Sequence, residues 1–586
     1  MLKRTHNCGE LRKENVGERV ILNGWVDRRR DLGGIIFITL RDRYGLTQIV
    51  FNPGTDVYEL AKNLGGEYVI GVEGMVRERP ADATNPSMPT GEIEVLAEKL
   101  EVFSSSKVTP IYTNRDDETS EEMRLKYRYL DLRRPNMKEN IIVRHRIAQI
   151  VRDYLNSLDF IEIETPILTK STPEGARDFL VPSRLKKGKF YALPQSPQLF
   201  KQLLMIAGFD KYYQLARCFR DEDFRADRQP EFTQIDVEMS FVDRDEVLEV
   251  AEGLFVEIFK KVLGVTLKTP FRRYTYNDVM ESYGSDKPDT RYGMKFVELN
   301  DIFEKTEFRA FREVIENSGV VKGFFVDEIY SRKEISNFEN LAKSYGSKGL
   351  AWFRFSNGEV HSPILKFLKP LKIEELKRKF DIASDGTVFV VADDRKIVNT
   401  SLGAIRSELI KKKGKIQDSF DVFWVIDFPM FEWDEEENRF VAAHHPFTMP
   451  YLSDLERYKD GDLSKVRAQS YDLVINGYEI LSGSIRIHKK EIQERVFDIL
   501  KISKEEAKKK FGFLLEAFEY GAPPHGGFAV GFDRLVAIIR NVDSIRDVIA
   551  FPKTATGADI MTGAPSEVNK RQLDELGIEV KLKGDT

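Results

Sequence analysis

The chain has 586 residues, 32% of them charged, and 90 basic against 95 acidic side chains give a net charge of −5. At about 150 residues per domain this length expects roughly four domains, and the near-even balance means that any nucleic acid must be met by local basic patches rather than by a global positive field. The opening MLKRTHNCGE has no apolar core of a signal peptide and no run of about eighteen apolar residues follows it, so a cytoplasmic protein without a membrane span is expected.

Residues 1–103 read as short alternating strands broken by turns: RVILNGWVDRRR, GGIIFITLRD, LTQIVFN, YVIGVEGMVRE and GEIEVLAEKLEVF, with a short helix near 56–64. Five strands and one helix predict a small closed barrel of the OB type. Arg28, Arg29 and Arg30, then Phe37 and Gln48, combine a basic cluster, an aromatic platform and an amide, as recognition of single-stranded RNA requires. Phe37 can equally be a residue of the barrel core. Residues 104–125 have the polar, proline-containing composition of a linker. Beyond them Val143, Ile147, Ile150, Val151, Tyr154, Leu155 and Leu158 form one helical apolar stripe, which runs into FIEIETP, an alternating strand stopped by Pro166.

In QSPQLFKQLLMIAGF, Ser196 can cap a helix and Pro197 can occupy its first turn. The stretch RCFRDEDFRADRQPEFTQIDVEMSF, residues 217–241, crowds arginines and acids into two strand-like runs. Alternation puts Thr233, Ile235, Val237, Met239 and Phe241 on one face, and Phe232, Gln234, Asp236, Glu238 and Ser240 on the other. Arg220 and Glu222 project together from the preceding strand, and the loop adds Arg225, Arg228 and Gln229. An arginine fork suits a pair of phosphate oxygens and a carboxylate suits an amino donor. The alternative is a salt-bridged surface hairpin. From 295 to 413, runs such as KGFFVDEI, LAWFRFSN and TVFVVADD between helical pieces predict a separate inserted α/β domain, with no chemistry legible in it.

Strand-rich sequence resumes at DVFWVIDFPMFEW. In YDLVINGYEILSG the Asn476-Gly477 pair predicts a two-residue hairpin that sets Val474 opposite Glu479 and Asp472 on the same face. Two carboxylates so placed make Mg²⁺ ligands beside phosphate, or else solvated acids flanking a turn. Arg486 would face away from Glu479 in a regular strand, unless a bulge at Ser482-Gly483-Ser484 turns it inward. The adjacent His444 and His445 in AAHHPFT point to opposite faces if they lie in a strand, which favours substrate contact over a shared metal. GGFAVGFDRL matches neither a dinucleotide fingerprint nor a P-loop. It sets Arg534 in the first turn of a helix, where a cation needs an anion or a π-face to offset the dipole. Cys8 and Cys218 lack the spacing of a zinc site or disulfide framework, so any metal is expected on oxygen ligands.

Together these stretches resemble the bacterial type of class II aspartyl-tRNA synthetase along essentially the whole chain. The helix and strand ending at Pro166 look like the first class II motif, which in that family builds the dimer interface; FRDEDFRADRQPEFTQIDVE looks like the second and GGFAVGFDRLV like the third. The resemblance implies an α+β chain: an OB-fold anticodon-binding barrel (1–103), a linker (104–125) and an antiparallel-sheet class II catalytic domain (126–294 and 414–586) interrupted by the insertion (295–413). It implies a homodimer that activates L-aspartate with ATP and Mg²⁺ and transfers it to tRNA(Asp), or to tRNA(Asp) and tRNA(Asn) alike; Leu32 resembles the aspartate-specific form. A noncatalytic RNA-binding protein on the same fold is the remote alternative. Arg220 and Arg534 would be catalytic. ATP would meet Arg220, Asp221, Glu222, Gln229, Phe232, Glu479, Gly531, Phe532, Asp533 and Arg534, with the adenine between Phe232 and Arg534 and the metal on Asp472 and Glu479. Aspartate would meet Glu174, Ser196, Gln198, Leu199, Phe200, Lys201, Arg220, Asp236, His444, His445 and Arg486, with Gln198 and Lys201 reaching one pocket from one helix. The anticodon would meet Arg28, Arg30, Phe37 and Gln48. One departure stands out: where the family has Glu-x-Gly-Gly-Gly-Ser, this chain has Glu479-Ile480-Leu481-Ser482-Gly483-Ser484.

Overall fold

The computed structural model describes residues 1–171, 176–414, 416 and 419–581. The chain divides into two compact units, residues 1–142 with 549–566 and residues 143–548 with 567–586.

In the first unit, strands Arg19–Leu32, Ile35–Arg41, Leu46–Phe51, Val69–Glu78 and Ile93–Ser104 close into a barrel in the order first, second, third, fifth, fourth. The expected helix, Asp56–Ala61, lies between the third and fourth strands and is capped by Thr55, whose side chain accepts from the Tyr58 N–H. Ile36, Ile38 and Leu40 fill the barrel with Val20, Leu22, Ile49 and Val72. The two-residue period therefore sends Phe37 outward, which takes it out of the barrel core. Arg30 lies opposite Phe37, and Thr39 lies between Arg28 and Gln48. One outer face thus gathers Arg28, Arg30, Phe37 and Gln48. Arg29 turns the other way and donates to the Ala61 carbonyl at 3.3 Å.

The second unit is built on an eight-stranded sheet in the order Arg272–Thr275, Val422–Ile426, Ser470–Ile475, Tyr478–Ile485, His525–Gly531, Glu231–Ser240, Lys211–Phe219, Ile161–Glu162. All neighbours are antiparallel except the two edge pairs. The helix Pro135–Ser157 buries Val143, Ile147, Ile150, Val151 and Leu155 as its stripe predicts. The following strand is shorter than expected: only Ile161–Glu162 pairs, on one side and at the sheet edge. Along Glu231–Ser240, Ile235, Val237 and Met239 are buried on the core face. Phe241 departs from that pattern, because the strand ends at Ser240 and Phe241 sits exposed with φ 59°. The buried Trp424 donates its Nε1–H to Glu252 at 2.9 Å, fixing the Arg244–Leu263 helix against the sheet.

The insertion has its own five-stranded antiparallel sheet, Val297–Glu298, Val320–Val326, Gly386–Asp393, Ala351–Ser356 and Glu359–His361 in that order. Val388 and Val390 enter one apolar cluster and Phe389 and Val391 another. Both faces are covered, which is why TVFVVADD reads as a continuous apolar run rather than an alternating one.

Gly527 marks the closest approach inside the eight-stranded sheet. A Cβ there would lie 2.1 Å from the Val237 carbonyl oxygen and 2.2 Å from Glu238 Oε2. Overpacking of this kind costs about 1–3 kcal/mol or more, so Gly527→Ala is expected to lower the thermal unfolding midpoint of the full chain. An unchanged melting curve would show that the strands can part without cost.

Candidate active site

Two cavities open on the polar face of the large sheet. The smaller, about 150 Å³, is walled by Lys201, Asp236, Arg486, Thr448 and the strand residues Ser482–Ser484. Its floor is a buried charge network. Lys201, from the Gln198–Ile206 helix, sets its Nζ 2.8 Å from Asp236 Oδ1 and 3.1 Å from Glu238 Oε2. Arg486 binds Glu238 through both forks, Nε to Oε1 at 3.0 Å and Nη2 to Oε2 at 3.1 Å, while Nη1 donates to Ser484 Oγ at 2.6 Å and to His445 Nε2 at 2.9 Å.

An arginine only donates, so His445 must present a lone pair at Nε2 and is neutral. Burial, Arg486, His444 and Lys201 all push its pKa well below the usual histidine range, in agreement. Burial raises the Asp236 pKa despite Lys201, and its Oδ2 has no partner within the protein. Burial also works against the Glu238 charge, but Arg486 and Lys201 outweigh it and bring this carboxyl down to about 2.

The larger cavity, about 1080 Å³, shares Ser196, Gln198, Arg220, His444 and His445 with the smaller one and is further lined by Glu222, Gln229, Phe232, Glu479, Gly531 and Arg534. Arg534 donates to the Glu479 carbonyl at 2.5 Å and pairs with Asp227 at 3.3 Å, leaving its buried Nε without a partner. Arg220 stacks on Phe232, with its guanidinium 5.0 Å above the ring. It does so because the backbone pairing of Phe232 with Cys218 and of the Arg220 N–H with the Pro230 carbonyl makes the two side chains diagonal neighbours. Glu222 accepts from Arg228 at 2.7 Å.

The Asn476-Gly477 turn forms as expected, with both residues at positive φ and Val474 opposite Glu479. The bulge is not at Ser482–Ser484. Leu473 pairs with Leu481 and Val474 with Glu479, so the extra residue is Ile480. One inserted residue flips the parity beyond it and brings Ser482, Ser484 and Arg486 to the side of Glu479. Asp472 lies beneath Glu479, buried, with its Oδ1 unpartnered. Burial and the Glu479 charge together raise its pKa well above the carboxylate range.

Several side chains expected at the site lie elsewhere. Leu199 faces away from Lys201 on its helix and packs with Phe447, Phe511 and Leu514 in an apolar cluster. Phe200 lies outside both cavity walls. Asp221 bridges to Arg177, and Phe532 is buried under the Arg144 guanidinium at 4.5 Å. Asp533 borders the large cavity, but its carboxylate is taken by Arg144 and by the Thr233 N–H at 2.8 Å. Glu174 lies outside the described residues. The histidines sit in a bend rather than a strand, so both reach the cavity walls. Pro197 rather than Ser196 is the N-cap, so the helix begins at Gln198, one residue later than expected. The main omission of sequence reasoning is Glu238, which anchors both cations; its only signal was a shared strand face with Asp236.

A family model described as class II tRNA synthetases (D, K and N) matches residues 120–555, and an OB-fold nucleic acid binding domain matches residues 20–103. The chain belongs to the class II aminoacyl-tRNA synthetases of that group. Within the group it stands with the aspartate–tRNA ligases. It is 56% identical over 580 residues to the aspartate–tRNA ligase of Fervidobacterium nodosum, covering 99% of each chain. It is likewise 56% identical over 586 residues to the aspartate–tRNA(Asp/Asn) ligase of Thermotoga maritima, again covering 99% of each. The fold is similar to asparaginyl-tRNA synthetase from Pyrococcus horikoshii in complex with asparaginyl-adenylate, with TM-score 0.60 and 22% identity over 94% of this chain and 99% of that one.

The network makes a pH-dependent prediction. Because the Glu238 pKa is about 2 against an ordinary 4.5, the carboxylate stabilises the folded state above that ordinary value and the contribution is lost as the pH falls toward about 2. Breaking a buried pair costs about 3–5 kcal/mol. Glu238→Gln should therefore melt well below the wild-type chain at pH 7, and the gap should narrow between pH 5 and pH 3. A gap independent of pH would assign the loss to packing instead.

Proposed function

We propose that the larger cavity takes ATP and the smaller one L-aspartate, and that the two react across their shared wall before aspartate passes to tRNA. The observation that carries this reading is the position of Arg220, a guanidinium common to both cavities. There it can hold the α-phosphate at the point where an amino-acid carboxylate arrives. Glu222 receives the adenine amino group, Gln229 contacts the nucleotide, and Phe232 and Arg534 supply the faces for the ring.

In the smaller cavity Arg486 and Lys201 meet the substrate's side-chain carboxylate, while the free Oδ2 of Asp236 accepts from its α-ammonium group. Asparagine would turn an amide NH₂ toward donors that need an acceptor, and a site of this kind rejects the wrong side chain by about 10⁴–10⁵. The aspartate α-carboxylate then attacks the α-phosphorus in line, pyrophosphate leaves, and the aspartyl group moves from the adenylate to the terminal ribose of the tRNA. No side chain is a covalent nucleophile, so positioning and charge neutralisation by Arg220 and Arg534 carry the rate.

Asp472 and Glu479 suit Mg²⁺, which takes one or two carboxylates and leaves its other positions to phosphate and water. The unpartnered, buried Oδ1 of Asp472 supports a cation there. Bound at that place, the ion supplies positive charge against the polyphosphate. The outer barrel face with Arg28, Arg30, Phe37 and Gln48 is suited to the anticodon. Exposed Ile161, Ile167 and Leu168 support a dimer through the first motif. Among the described residues no helix is long and apolar enough to cross a membrane, in keeping with a cytoplasmic enzyme.

Arg220→Ala is expected to abolish aspartate-dependent ATP–pyrophosphate exchange and to leave tRNA binding nearly intact; full exchange in this variant would refute the assignment. For the tRNA, Leu32, exposed in the barrel hairpin, favours an enzyme restricted to tRNA(Asp). The name of the Thermotoga relative favours one that also charges tRNA(Asn). With purified tRNAs, the restricted reading expects charging of tRNA(Asp) alone, and comparable rates on both would replace it with the second.

A further inference from the structure

The loop between the Tyr276–Tyr283 helix and the insertion brings Lys287 to the wall of the larger cavity, which Arg220, Glu479 and Arg534 also line. Its side chain is 44% exposed, and its Nζ lies 3.5 Å from Glu479 Oε2 and 3.5 Å from Asp286 Oδ2. These distances are at the outer limit of a hydrogen bond, so the ammonium is held near acids without being saturated by them.

The loop itself is fixed from two sides. Buried Arg406, on the Arg395–Lys413 helix of the insertion, donates to the carbonyls of Asp289 at 2.5 Å and Gly293 at 2.9 Å. The same helix presses on the loop's start, where a Cβ on Gly403 would lie 2.4 Å from the Gly284 carbonyl oxygen. On the other side Asp289 packs against the hairpin turn that carries Asp472 and Glu479, since a Cβ on Gly477 would lie 3.0 Å from that of Asp289. Lys287 is therefore placed relative to the acid pair by backbone contacts and is not a free surface lysine. Its long stem ends in a point charge with three donors, suited to an anion whose orientation changes as it leaves.

We propose that Lys287 contacts the β- and γ-phosphates of ATP and the pyrophosphate they become, exchanging its loose hold on Glu479 and Asp286 for the stronger anion. This rests on the reading of the larger cavity as the ATP site. The test is aspartate-dependent ATP–pyrophosphate exchange with the full-length chain and its K287M and K287R variants. Loss of one charge-assisted contact should raise the KM for pyrophosphate about tenfold to hundredfold in K287M, and K287R should recover most of it. The KM for aspartate and the single-turnover transfer from preformed aspartyl-adenylate to tRNA should stay at wild-type values. An unchanged pyrophosphate KM in K287M, or an equal rise in the KM for aspartate, overturns the proposal. Absence of exchange in the wild-type chain would instead overturn the underlying reading of the cavity.

Discussion

Beneath the smaller cavity two cations and two carboxylates lie together, Lys201 and Arg486 with Asp236 and Glu238, all nearly inaccessible to solvent. A buried charge is tolerated only while its partner stays in place. The four groups come from a helix, a central strand and the residue just past a second strand, so the need to keep them paired fixes three elements against one another. The network carries no net charge of its own. Arg486 is already matched by Glu238, His445, Ser484 and the Gly527 carbonyl, which leaves the unpartnered Asp236 oxygen as the open acceptor of the network. The packing of the sheet and the floor of the smaller cavity thus depend on the same four side chains.

Much of this was legible because it is local. A two-residue period sorts Gln234, Asp236 and Glu238 from Ile235 and Val237 without knowledge of any neighbour, and Asn476-Gly477 sets the hairpin and the opposition of Val474 and Glu479 by turn chemistry alone. Phe37 needed the barrel to decide its direction. What stayed hidden depends on distant contacts. One partner of Glu238 is 248 positions away in Arg486, and Leu199 belongs to the core only because Phe447 and Phe511 fold against that side of its helix. Lys287 carried no signal at all, since nothing in its loop announces which cavity the loop will border.

The insertion was opaque for a different reason. Its residues are occupied in covering both faces of its own sheet, and its polar contacts hold neighbouring elements. Glu281, at the end of the preceding helix, accepts from Lys322 at 2.5 Å, from Arg395 at 2.5 Å and from Asn399 at 3.1 Å. One carboxylate thereby ties a strand and a helix of the insertion to the catalytic sheet's flank. With Arg406 gripping the Asp289 and Gly293 carbonyls, the insertion acts on the site through backbone placement rather than through any side chain it sends there.

The same logic explains how the chain keeps its geometry without two of the family's three glycines. Ser482 lies directly across the strand pair from Asp472, and its side chain holds that carboxyl's pKa down against burial, so a side chain at this position is accommodated without a clash. Leu481 turns into the core. Gly483 is different: a Cβ there would lie 2.4 Å from the Gly527 carbonyl oxygen and 2.5 Å from the Tyr471 ring. The glycine that remains is the one with no room beside it. The bulge at Ile480, one residue upstream of the replaced pair, does not depend on the other two. Arg486 therefore reaches Glu238 because of where the extra residue sits, and the Leu481-Ser482 replacement leaves that parity untouched.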